Sequence, residues 1–436
     1  WSSPLLLCQS GCIITNHSPF LFVLWDDSQI WGIMAARAML SMGVPHRLVS
    51  ASEITVGLLD RQKPSIWLVP GGDARHKALD LVPGGLDAIR TYVHGGGRYL
   101  GFCGGAGLAL TGKDGAEGLG LCPWQRGRFD DRIQHFMSGH LHVALSAVEE
   151  HAGLIPPNMS ASPRLPVWWP GRFEVQDHPD VNILASYESP AEDFWLADLP
   201  IADLPADTFA AWQDLYGLSF TPTFLAGQPC VVHGRYGAGE YIRSYSHLET
   251  PESPDANRWL AYLLQRLAGI NPELPEVPAW HSHGQQERWQ DPVLVSMWEQ
   301  LKHILTTGLK HGLLFRRTDW LYGWRTGIPG AHLNSLWAAL GAVIEHGPGP
   351  LALARWEEEK ERISRVMEVF SRGCCQYLLA ERLALTLSRI DPDAVPPSLL
   401  TDQRESLFGP PMQAEGLYRE IMEPLDELAY LQLSAM

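Results

Sequence analysis

Short apolar runs alternate with helical stretches through the first part of the chain. The run at 21–24 ends at Trp25-Asp26-Asp27-Ser28, which reads as a buried strand followed by a loop and a helix cap. Apolar residues at helical spacing over 30–42 stop at Gly43. The same reading gives a strand at 46–49, a short helix at 52–59 and a strand at 66–69 that ends in Pro70-Gly71-Gly72. A helix over 86–93 is closed by Gly95-Gly96-Gly97, a strand follows at 98–102, and the glycine-rich segment 104–110 opens another helix. Strands and helices alternating at this interval predict βαβ units and a parallel sheet.

From 114 to 228 the pattern is less regular and rich in Pro, Trp and Asp, with candidate strands at 141–145, 167–169 and 183–187. Segments 229–236 and 239–245 flank Gly237-Ala238 as a hairpin, and 255–267 is an amphipathic helix. Pro272, Pro275 and Pro278 mark a linker over 271–290. Beyond it the periodicity is helical throughout: 293–309, 331–345, 353–390 and 414–433. The expected division is an α/β domain at 18–270 with an insertion at about 114–165, the linker, and a helical domain at 291–436.

Composition narrows the classes. Hydrophobic content of 45% and charged content of 19% describe a globular chain. A formal charge of -16, from 33 basic and 49 acidic side chains, excludes nucleic acid or an anionic membrane surface as the main partner. No stretch reaches the roughly 18–20 apolar residues needed to span a bilayer, and the opening segment lacks a basic n-region and a proper h-region. The 7 cysteines are odd in number and scattered, so no disulfide framework is expected and a reducing, cytoplasmic setting fits. Cys8 and Cys12 have metal-like spacing without a second pair, and Cys374-Cys375 falls in a helical pattern as ordinary packed thiols. No metal or cofactor is expected.

The sharpest chemical feature is Gly101-Phe102-Cys103-Gly104-Gly105, a G-x-C-x-G between a strand and a helix. A nucleophile at that corner sits on a strained turn above the carboxyl ends of the strands. It also lies at a helix N-terminus, where the dipole favours thiolate. A cysteine nucleophile needs a base and a group to orient it. His247 and Glu249 follow the strand 239–245 and can point to the same side, the carboxylate fixing the imidazole tautomer. Gly71 and Gly72, at the end of another strand, free backbone N–H groups that with the amide of Gly104 would form an oxyanion hole. The plain alternatives are a buried cysteine in a glycine turn, a surface His-x-Glu pair and an ordinary strand-end turn.

In this order the three features resemble the class I glutamine amidotransferase superfamily. Segments 67–73, 95–106, 168–187 and 229–249 look most like the amidotransferase-like domain at the N-terminus of some biotin protein ligases, which also exists as stand-alone bacterial proteins. The resemblance implies a flavodoxin-like parallel sheet with helices on both faces, and a C-terminal all-α domain is left unmatched. It also implies Cys103 as nucleophile, His247 as base, Glu249 as orienter, and amides near Gly71, Gly72 and Gly104 as oxyanion donors. The expected activity is thiol-dependent amide hydrolysis or acyl transfer on a small molecule. Two positions depart from the pattern: Gly107 stands where glutaminases carry a glutamine, and Leu248 replaces a proline.

Two other readings compete. A scaffold that binds a small ligand without turnover fits the change at 107 and the tryptophans Trp124, Trp168, Trp169 and Trp195. Related small thiol hydrolases and stress proteins would place an acid near the cysteine, for which Asp26 or Asp27 could stand. The helical tail offers a surface for self-association or a protein partner, and Arg316, Arg317 and Arg325 beside Trp320 and Trp324 could bind an anion.

Overall fold

The computed structural model describes residues 19–112, 117–127, 136–218, 222–280, 287–391, 396–410 and 413–436. Cys8, Cys12 and parts of the expected insertion lie outside them. The strands expected at 21–24, 46–49, 66–69 and 98–102 form with those bounds as β1 (Leu21–Leu24), β2 (His46–Val49), β3 (Ile66–Val69) and β4 (Arg98–Phe102). Between and after them run α1 (Ile30–Ser41), α2 (Ala51–Thr55), α3 (Leu58–Arg61), α4 (Ala74–Asp80), α5 (Gly85–His94) and α6 (Gly104–Leu108). The single helix expected at 52–59 is two pieces, because Gly57 takes a left-handed φ of 83° between them. The unexpected α4 starts where Asp73 accepts from the N–H groups of Arg75 and His76.

The middle of the chain supplies β5 (Gln125–Arg126), β6 (Met137–Leu145), β7 (Arg164–Trp168), β8 (Phe173–Glu174), β9 (Val181–Pro190), β10 (Trp195–Leu196) and β11 (Leu199–Pro200). Then come α7 (Thr208–Tyr216), β12 (Pro229–Tyr236), β13 (Gly239–Ser244) and α8 (Pro254–Ala268). Strands β5 and β8 pair apart; the other eleven form one sheet in the order β11-β10-β6-β9-β12-β13-β4-β3-β1-β2, with β7 on β6. Strands β2-β1-β3-β4-β13 are parallel, the flavodoxin-like half. The remaining pairings are antiparallel, so the sheet is mixed rather than purely parallel.

Apart from edge strand β2, the strands of the parallel half are buried on both sides along most of their length, and their side chains divide with period two. Leu21, Val23, Leu68, Leu100 and Ile242 face α1 and α8. Phe22, Leu24, Trp67, Val69, Tyr99 and Tyr241 face α2 to α6.

The tail contains α9 (Pro292–Lys310), β14 (Leu314–Arg316), β15 (Tyr322–Trp324), α10 (Gly330–Glu345), α11 (Pro350–Leu387), α12 (Pro397–Phe408) and α13 (Gly416–Leu433). It is therefore helical with one short hairpin, whose three-residue strands are too brief to show as a period in the sequence. Leu301, Trp337, Met367 and Leu425 of these helices join the same buried cluster as Leu21 and Leu100. Polar links reinforce this: Trp25 Nε1 donates to Asp426 Oδ2 at 2.7 Å, Tyr430 donates to Glu53 at 2.7 Å, and Arg37 pairs with Glu345. In the 271–290 stretch Val277, Trp280 and Trp289 are buried, and Val277 N donates to Asn257 at 3.1 Å.

Candidate active site

The carboxyl ends of β1, β3, β4 and β13 deliver the residues singled out from the sequence. Strand β4 ends at Cys103, which has φ 44° and ψ -101°, a conformation rare for a residue with a side chain. It is held there by its neighbours. Cys103 N–H donates to Ser244 O at 2.7 Å, Gly105 N–H to Pro70 O at 3.1 Å, and Gly107 N–H to Cys103 O at 2.9 Å. The elbow thus locks onto β13 on one side and the β3 end on the other. The fit demands glycine: a Cβ on Gly104 would lie 2.1 Å from Gly72 O, and one on Gly72 (φ 106°) would lie 2.0 Å from Asp27 O. Among the described residues no backbone carbonyl accepts from the N–H of Gly71, Gly72 or Gly104.

His247 and Glu249 are fully buried. Their turn is fixed by Ser244 Oγ donating to Ser246 O at 2.7 Å and by His247 N–H donating to Pro166 O at 3.0 Å. His247 Nδ1 lies 2.8 Å from Glu249 Oε1, which assigns the proton on that side to Nδ1. Nε2 has no hydrogen-bond partner among the described residues, and neither has Glu249 Oε2. Burial disfavours the charged ring, but the Glu249 carboxylate and the nearby Cys103 sulfur outweigh it and push the imidazole up to about 10. The Cys103 sulfur is close enough to act on the ring as charge and as hydrogen-bond partner, although no contact at Nε2 has full hydrogen-bond geometry. Cys103 itself is half-buried.

Trp31 lies over the imidazole, with ring centres 4.4 Å apart. Gly71 abuts both rings, since a Cβ there would sit 2.6 Å from His247 Cε1 and 2.8 Å from Trp31 Cγ. No motif in the sequence marked Trp31; it sits among the apolar residues of α1 like any core side chain. Of the tryptophans weighed as ligand platforms, Trp124 and Trp168 are core, while Trp169 and Trp195 are half-buried. Arg317 is not free for an anion: it donates to Ser138 and to Asp193 O, and lies over Trp168 and Trp195.

The carboxyls of Asp26 and Asp27 are engaged elsewhere, that of Asp27 against Asp80. Asp26 Oδ2 accepts Ala51 N–H at 2.6 Å, and the Asp27 carbonyl accepts Asp73 N–H at 3.2 Å. Beneath them Lys77 is completely buried and donates to Asp26 O at 2.6 Å and to Ser28 Oγ. Burial lowers this ammonium to about 8 despite the acids around it. Burial, then the carboxyl of Asp27, raises Asp80 to about 7, and burial raises Asp426 to about 7. A cleft of about 520 Å³ opens here between Asp26, Ser52, Thr55 and Asp80, and Cys103 and His247 do not line it. No helix among the described residues is long and apolar enough to cross a membrane, and no metal-ligand cluster occurs among them.

No protein-family model matches the sequence, and no curated protein matches it. Among solved structures the chain is similar to a GMP synthase subunit-like protein from Thermoplasma acidophilum, at 12% identity over 58% of this chain and 96% of that one, with TM-score 0.37. It is similar to a ThuA-like protein from Bacteroides uniformis at 13% identity, covering 58% and 93%, with TM-score 0.36. A glutamine amidotransferase from Thermotoga maritima matches at 10% identity, covering 57% and 82%, with TM-score 0.32. Likenesses this distant carry no chemistry.

Proposed function

We propose that this chain is a thiol-dependent amidohydrolase or acyl transferase on an amidotransferase-like scaffold, akin to the domain found in some biotin protein ligases. The observation that carries the reading is the Glu249–His247 pair: a buried imidazole bonded through Nδ1, with Nε2 left bare on the side of the strained Cys103 elbow. In the reaction the Cys103 sulfur, its proton held by His247, attacks the carbonyl carbon of a small amide. The tetrahedral oxyanion is stabilised by N–H groups of Gly104 and of the Gly71-Gly72 strand end. The C–N bond then breaks as the imidazolium gives its proton to the departing nitrogen, and a thioester remains. Water, deprotonated by His247, hydrolyses that thioester to the acid and restores the thiol. Glu249 stabilises the imidazolium that both steps require.

The test is cysteine-resolved iodoacetamide labelling against pH in wild type and His247→Ala. A working dyad makes Cys103 the fastest thiol at about pH 6–7, below the ordinary thiol range, and His247→Ala slows it. Cys103 behaving like the other accessible thiols in both proteins would sink the enzyme reading. That outcome would leave one other reading standing, ligand binding without turnover, which Gly107 in place of a substrate-holding glutamine favours.

A further inference from the structure

The tail hairpin reaches the candidate active site. Trp31, which covers His247, lies 6.0 Å from Trp169, and Trp169 lies 4.8 Å from Trp324 on β15, the two rings tilted by 40°. Three indoles therefore form a wall from the imidazole outward, its outer two members coming from the loop after β7 and from the tail strand β15. Both Trp169 and Trp324 are half-exposed. The wall is built rather than incidental. Trp169 holds a φ of 58°, unusual for an aromatic residue, with its N–H donated to Met137 O at 3.0 Å. Its neighbour Trp168 turns inward, donates Nε1 to Thr250 Oγ1 at 3.1 Å and packs on Trp320. Trp324 is backed by Gly330, where a Cβ would lie 2.2 Å from the indole. The strain thus keeps a second large ring at the surface instead of letting it follow Trp168 into the core.

Resting on the thiol reading above, we infer that Trp169 and Trp324 form the acyl-side subsite, and that the substrate is an amide carrying a flat aryl group several bonds from its carbonyl. The distance follows from the wall: the Trp169 ring stands two ring contacts away from His247, too far for an aryl group attached directly to the reacting carbon. The charge follows from the surroundings. Arg325 adjoins Trp324 in sequence and Arg317 lies over Trp168, but Asp198 and Asp193 counter them, so a neutral aromatic group meets no uncompensated charge there. Arg325 pairs with Asp198 at 3.6 Å, which leaves the indole faces as the main contact.

The experiment uses the full-length chain with Cys103→Ser, so that binding is read without chemistry. The probe is 4-(4-fluorophenyl)butanamide followed by fluorine NMR, and butanamide, competing for it, reports on the part without a ring. Trp324→Ala is expected to weaken the aryl probe about tenfold, in line with the worth of an aromatic stacking contact. Trp324→Phe recovers part of that loss and shows that the hairpin remains folded, and Trp169→Phe gives a smaller loss. Butanamide should compete far more weakly than the aryl probe and equally in all variants. Equal affinity of the aryl probe for Trp324→Ala, equal binding of butanamide and the aryl probe, or no binding of the aryl probe at all would each overturn the inference. If Trp324-dependent binding holds while Cys103 labelling ignores His247, the subsite stands and the thiol chemistry falls; the opposite pair of results removes the subsite and keeps the thiol chemistry.

Discussion

Substituting Gly71 by alanine tests the site at its tightest point. The added Cβ would lie 2.6 Å from His247 Cε1 and 2.8 Å from Trp31 Cγ. Carbon atoms settle at about 3.5–4.0 Å, so the imidazole, the indole or both must retreat by about 1 Å. The ring cannot slide freely, because Nδ1 is tied to Glu249 at 2.8 Å and Trp31 is set in α1. A misplacement of about 1 Å at a reacting pair can cost about 10²-fold, so the His247-dependent part of Cys103 alkylation near neutral pH should fall by that order. Forcing a methyl into a packed contact costs about 1–3 kcal/mol, so the melting temperature should drop by several degrees without loss of the fold. Labelling across the pH range, with thermal unfolding of the same samples, reads both effects. Gly71→Ala with wild-type labelling and wild-type melting would refute the placement of His247 against this strand end.

Glu249→Gln keeps the shape but removes the charge that raises His247; burial then dominates, the imidazole pKa falls, and Cys103 labelling near neutral pH should drop about 10²-fold or more. Asp426→Asn tests the tail contact. Its carboxyl is raised from 3.8 to about 7, so ionisation costs stability that builds from about pH 4 to 7 and persists above, up to about 4 kcal/mol. The amide oxygen still accepts from Trp25, so the variant should melt higher than wild type at about pH 8 and the same at about pH 4. Identical pH curves would show that Asp426 is not buried as described. Arg243 is fully buried; among the described residues its Nε and Nη1 have no acceptor, Nη2 meets the Cys122 sulfur at 2.8 Å, and the guanidinium lies over Phe173 and Tyr241. Arg243→Met should therefore be neutral or stabilising in thermal unfolding, and a large loss would reveal a counter-charge on Cys122 or elsewhere.

Local chemistry explains what could be read in advance. Strands β1 and β3 show as four-residue apolar blocks because they are buried on both faces. The elbow shows because only glycine tolerates the contact at 104. His247 and Glu249 show because they follow a strand two residues apart. What escaped were elements lacking a period long enough to see, such as β14, β15 and β10, and the antiparallel extension that makes the sheet mixed. Helix α12 was missed beside a proline-rich stretch, and α4 because its few apolar positions make no stripe.

The sequence by itself determined the alternation of strand and helix, the strained cysteine corner and the order of the candidate chemical groups. Each of these follows from a handful of neighbours along the chain: burial period, glycine placement, and a His-x-Glu turn. Only the tertiary structure decided that α9 to α13 share one core with the sheet, that Trp31 covers the imidazole, and that Trp324 reaches Trp169 across more than a hundred intervening residues. Indoles have no partner preference along the chain, so which of 17 tryptophans become core and which remain half-exposed beside His247 is fixed by packing alone.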